Sequence, residues 1–91
     1  MTQQYIAGEL SSLVAELGSP AGTSGGAARN LRREIEMSPP CRLPMLARNA
    51  LVLADRLCWI ALAQGDVASF RRRAETAATL QDFASSANLL P

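Results

Sequence analysis

The sequence has no histidine and no lysine, and only four of its 91 residues are aromatic: Tyr5, Trp59, Phe70 and Phe83. Each absence removes chemistry. Without histidine there is no Ser-His-Asp triad, no Cys-His dyad and no imidazole metal ligand. Without lysine there is no Schiff base and no Walker phosphate loop. Two cysteines, Cys41 and Cys58, are too few for a four-ligand zinc site within one chain or for a disulfide framework. No cofactor is therefore expected. No apolar run reaches the roughly 18 residues of a membrane span, so no membrane association is expected. The opening "MTQQY" lacks the basic region and apolar core of a secretory signal. These features predict a reduced, cytoplasmic protein.

What is present is leucine, alanine and arginine. All nine cations are Arg, and the formal net charge is +1. Arginine without lysine, beside abundant alanine, looks like the codon usage of a GC-rich genome and predicts a bacterial source. A net charge so small gives no global signal for a polyanionic partner. With 48% hydrophobic residues and few rings, the core must be built from Leu and Ala. A chain of this length makes one domain, spanning 1–91.

The pattern along the chain is helical throughout, with no period-two alternation and no hairpin turn signal between strand-like runs. Residues 3–17 carry Ile6, Leu10, Leu13, Val14 and Leu17 on one stripe. Gly18 and Pro20 stop that helix, and the uncharged Gly/Ser stretch over 18–26 reads as a flexible linker. Residues 27–37 give a short helix with a narrow stripe of Ala28, Leu31 and Ile35. Residues 38–44, rich in proline, read as a stiff extended connector.

The longest pattern runs from Pro44 to Gln64, with Leu46, Ala50, Leu53, Ala54, Leu57, Ile60 and Ala61 in one sector, extended by Ala47, Leu51, Cys58 and Leu62, while Val52 and Trp59 fall off it among Arg48, Asn49, Asp55 and Arg56. Gly65 ends it and Asp66 caps the next helix, predicted over 67–86. There Val67, Phe70, Ala74, Ala77 and Ala78 face inward at first, and Leu80, Phe83, Ala84 and Ala87 then drift to another face. The expected fold is all-α: four helices, at 3–17, 27–37, 44–64 and 67–86, around a long central antiparallel hairpin.

Residues 57–77, "LCWIALAQGDVASFRRRAETA", resemble the middle of a tetratricopeptide repeat. Gly65 and Asp66 stand where that family places its turn, and Leu57, Cys58 and Ala77 where it wants apolar or small residues. Phe70 departs from the pattern, and the motif occurs once. The resemblance implies a tight antiparallel helical hairpin rather than a peptide-binding array.

Three arginines, Arg71, Arg72 and Arg73, crowd the first turns of the last helix, where the helix dipole disfavours cations. Asp66 and Glu75 offset part of this, and the triplet is a candidate anion-binding group. Carboxylates Glu9, Glu16, Glu34, Glu36, Asp55, Glu75 and Asp82 all fall on polar helix faces, not on apolar stripes where burial would raise a pKa. No enzyme is expected. Cys41 beside Arg42 is the one candidate for a reactive thiol, although an inert loop cysteine is the expectation. The central helix is apolar over more of its circumference than one partner helix covers. This predicts a homodimer whose interface draws on Val52, Trp59, Leu80 and Phe83. The function expected is a non-catalytic protein–protein interaction module, an adaptor or regulatory accessory protein. The alternative is a small accessory nucleic-acid-binding protein that uses its arginines.

Overall fold

The computed structural model describes residues 3–18 and 25–90. Four helices follow in order: α1 (Gln3–Leu17), α2 (Gly25–Met37), α3 (Leu43–Ala63) and α4 (Val67–Ser86), with a single 3-10 turn over Pro40–Arg42 before α3. No strand occurs among the described residues. The chain is a small all-α domain of four helices. Residues 19–24 of the Gly/Ser linker lie outside the described residues, and Gly25 and Gly26 belong to α2.

The apolar stripes place the helices. On α1, Leu10, Leu13, Val14 and Leu17 are buried; on α2, Ala28, Leu31 and Ile35 are buried. Gly18 N–H donates to the Val14 carbonyl at 3.3 Å and closes the last turn of α1. Four of the buried residues of α3 are alanines (Ala47, Ala50, Ala54 and Ala61), and Ala84 continues the theme on α4. Small side chains at the seam let helix axes approach closely, since interaxial distance is set by what stands between them. In ring order α3 lies beside α4, α4 beside α1, α1 beside α2, and α2 beside α3.

The turn between α3 and α4 is fixed by backbone geometry. Gly65 takes φ +73°, a left-handed conformation that favours glycine. Its N–H donates to the Leu62 carbonyl at 3.0 Å, and Asp66 N–H donates to the Ala61 carbonyl at 2.9 Å. This is a Schellman motif, which satisfies carbonyls that a helix end would leave open. The same pair of bonds closes α4. Asn88, at φ +58°, donates to Ser85, and Leu89 donates to Ala84 before burying its own side chain.

Asp66 also starts α4. Its Oδ1 accepts from the Ser69 backbone N–H at 3.1 Å. Hydrogen bonds from Ser69, its side chain first and its backbone second, hold the Asp66 carboxyl below its ordinary 3.8, and the charges of Arg73 and Arg72 add to this. The stabilisation is complete above the unfolded value and is lost as pH falls through the lower folded value. Thermal melts taken from pH 6 to pH 2 should therefore show a loss of stability below about pH 4 that Asp66→Ala lacks. Asp66→Asn, which keeps an accepting oxygen, should retain the cap and also flatten that pH dependence. An unchanged acid limb in Asp66→Ala would remove Asp66 as its source.

Several expectations are corrected. The stretch after α2 is only briefly extended: Pro39 has φ −68° and ψ 156°, but Pro40–Arg42 then turns as a 3-10 helix. Leu43 is helical despite preceding Pro44, because its side chain is buried in the core and packing overrides the local bias. Ile60, Val67 and Ala78 were expected inside; all three are exposed, and Leu53 is only half-buried. Leu80, expected at an interface between copies, is 0% exposed and belongs to the core of its own chain.

One physical reason covers Ile60 and Val67. α3 has 21 residues and is about 32 Å long, whereas α1 and α2 have 15 and 13 and reach only about 20–22 Å. The shorter pair lies against one end of the hairpin. The buried cluster accordingly follows α3 from Leu43 to Leu57, and takes Leu80 and Ala84 from α4. Beyond that level the hairpin tip projects, and its apolar side chains meet solvent.

Candidate interaction surface

The α3–α4 hairpin carries a groove of about 510 Å³ on the flank that α1 and α2 leave open. From α3 it is lined by Leu51, Asp55, Cys58, Trp59 and Leu62, and from α4 by Phe70, Ala74, Ala77 and Gln81. The spacing explains why these residues share a wall. Positions 51, 55, 58 and 62, like 70, 74, 77 and 81, step by four, three and four, which is one stripe of a helix. The hairpin is antiparallel, so Leu62 stands opposite Phe70 near the tip and Leu51 opposite Gln81 at the far end. Trp59 is 64% exposed and Leu62 48%, and Val52 and Val67 extend the uncovered apolar surface.

Cys58 sits half-buried in this wall. Burial pushes its thiol pKa up, the nearby Asp55 charge pushes it further, and Arg73 partly opposes both. A thiol held protonated is a poor nucleophile, so Cys58 contributes a small apolar surface. Cys41, in the 3-10 turn, is exposed and free.

The arginine triplet does not act as one group. Arg71 and Arg72 are exposed, but Arg73 is buried at 8% exposure. Its Nη1 donates to the Leu57 carbonyl at 2.8 Å across the hairpin, and its Nε is buried without a partner. Arg73 therefore closes the end of the core where α1 and α2 stop, and it is not available to bind an anion at the surface. Of the expected interface residues, Val52 and Trp59 lie on or beside the groove, Phe83 is half-buried against the core, and Leu80 is inside it.

A larger cleft, about 660 Å³, lies between α1, α2 and the 3-10 turn. Its polar residues are turned on one another. Arg32 Nε donates to Ser11 Oγ at 3.4 Å, and Ser11 Oγ donates to Glu36 Oε1 at 3.4 Å. Cation and carboxylate are joined through one hydroxyl, so the two charges offset each other inside the cleft. No group of three or more metal-ligating side chains occurs among the described residues. Among them, too, no helix is long and apolar enough to cross a membrane.

No family model, curated protein or solved structure matches this chain. Its function must be read from the surface itself. Sequence reasoning had marked Val52 and Trp59 through their place off the leucine stripe. It missed the groove because Leu51, Leu62 and Phe70 read as core residues. Leu62 is exposed beyond the reach of α1 and α2, whereas Leu51 and Phe70 are half-buried on the flank those helices do not cover.

Proposed function

We propose that this chain is a non-catalytic helical interaction module, an adaptor or regulatory accessory protein, that docks an apolar helix along the α3–α4 groove. The observation that carries the reading is the groove's pairing of two parallel-sided helical stripes with an exposed tryptophan at the rim. Amphipathic helices bind such grooves by laying one apolar stripe between two others. Trp is over-represented among residues that dominate binding energy, and Ala74 and Ala77 leave room on the groove floor for a partner's larger side chains. Large contiguous apolar surface on a small domain is a solubility liability that a partner removes. We place the module in the bacterial cytoplasm, on its arginine-only cation set and its two free cysteines.

Nucleic-acid binding is the less favoured reading, because Arg73 is turned inward and only Arg71 and Arg72 of the triplet are exposed. Retardation of random duplex DNA at low salt, lost when Arg71 and Arg72 are replaced by Ala, would favour it instead.

The test is photo-crosslinking in the native cell. A photoreactive phenylalanine analogue replaces Leu62 in one strain and Arg33, exposed on α2, in another. Adducts to polypeptide are expected from position 62 and not from 33. Absence of polypeptide adducts at 62, or equal yields at both positions, overturns the reading.

A further inference from the structure

We infer that the helix docked in the α3–α4 groove belongs to a partner protein and carries an arginine, whose guanidinium is held by Asp55 and Trp59. The inference rests on the groove being a helix-docking face; it names the charge that the partner brings there.

The wall of the groove is interrupted by charge at one place. Among the described residues that line it, Asp55 alone is charged. Asp55 is exposed, and no hydrogen bond or ion pair engages its carboxylate among the described residues. Its field reaches along the wall. At the Cys58 thiol, in the middle of the groove, the Asp55 anion acts more strongly than the opposing Arg73 cation. Arg73 itself is buried, with its Nη1 on the Leu57 carbonyl. The nearest cations of α3 are not on this wall. Arg48 lines a separate cleft with Pro44 and Leu90, and Arg56 follows Asp55 by one residue, about 100° around the helix. A purely apolar helix laid in the groove would shut this carboxylate away from water with nothing to replace the water, which is unfavourable. A helix that brings a cation to the same level removes that penalty.

Trp59 selects the kind of cation. It stands four residues beyond Asp55, so the two side chains are neighbours on the surface of α3, and it is 64% exposed. A guanidinium is planar. Its edge donates two hydrogen bonds to a carboxylate, and its face stacks on an aromatic ring. A lysine ammonium is a compact point charge without that flat face. Across the groove, the hairpin sets Ala77 opposite Asp55 and Ala74 opposite Cys58. These small side chains leave the floor open to the long stem of an arginine.

The groove also sets a spacing. Leu62 and Phe70 form its apolar end, and Leu62 is seven residues from Asp55, about 10.5 Å along the helix. A helix lying along the groove has the same rise. Its arginine therefore stands about seven residues from the large apolar side chain seated between Leu62 and Phe70, on the same stripe.

Selection of displayed amphipathic peptides, each about five turns of helix long, on the full chain tests this. Trp59 is the one tryptophan of the chain, so its emission reports binding at this wall. Enriched peptides are expected to share an apolar stripe with an arginine about seven residues along it. At low salt, Asp55→Asn should weaken their binding about tenfold, and Asp55→Arg at least as much. Against Asp55→Arg, a peptide with Glu in place of its arginine should bind within about threefold of the original pair. Apolar stripes enriched without arginine, or binding indifferent to Asp55→Asn, overturn the inference and leave the helix-docking reading standing. No enrichment of apolar stripes, or binding indifferent to Leu62→Glu, removes both. A parent that sediments as a dimer and becomes a monomer in Leu62→Glu puts a second copy in the groove and likewise overturns the inference.

Discussion

Leu80→Ala should leave the chain substantially unfolded at temperatures where the parent is fully folded. Leu80 is 0% exposed and belongs to the buried cluster that includes Leu10, Val14 and Leu17 of α1. That cluster draws on all four helices, so the cavity left by truncation opens among layers rather than inside one. Truncations of this kind remove about 2–5 kcal/mol. A domain of this size holds roughly 5–10 kcal/mol in total, so the loss is a large fraction of it. Leu57→Ala, also buried, belongs in the same range. Leu53→Ala should lose distinctly less, because Leu53 is half-buried and part of its side chain already meets water. Urea unfolding followed by circular dichroism gives the comparison. Equal midpoints for Leu80→Ala and Leu53→Ala would contradict this ordering.

The second large effect concerns Arg73. Replacement by Ala should destabilise by about 2–3 kcal/mol, since it removes the stem that closes the core and the charged hydrogen bond to Leu57. Replacement by Met should be neutral or stabilising. Met keeps the packing and removes a cation whose Nε is buried without a partner. The Leu57 carbonyl is not orphaned, because within the helix it also faces the amide four residues on. The same urea titrations decide it. If Met loses as much as Ala, the guanidinium itself holds the hairpin together, and the role assigned to its stem is wrong.

Much of this fold was legible in the residues. α1 and α4 begin and end where the stripes and stop signals put them, because Gly18 and Gly65 close helix ends through local backbone hydrogen bonds and Asp66 caps α4 with its own side chain, none needing a distant partner. The 3-10 turn was hidden because a proline's fixed φ suits both an extended chain and a tight helical turn. Tertiary packing of Leu43 decided between them. The drift of the apolar face on α4 was visible in Leu80 and Ala84, but not its cause, which is the arrival of α1 on that side. Arg73 could not be read as buried, since nothing local distinguishes it from Arg71 and Arg72. The groove depended on which flank of the hairpin α1 and α2 cover, a property of the assembly that no single stripe contains.

The short reach of α1 and α2 has a consequence for how the domain comes apart. By hydrogen bonding α3 is one helix from end to end, but its surroundings divide it. Near Leu46 and Ala50 an opening must disturb all four helices, whereas near Leu62 it disturbs only the hairpin turn. Cooperativity therefore ends partway along a continuous helix. The tip can loosen, accept a partner and release it while the remainder keeps its fold, so the domain separates the segment that holds its shape from the segment that meets others.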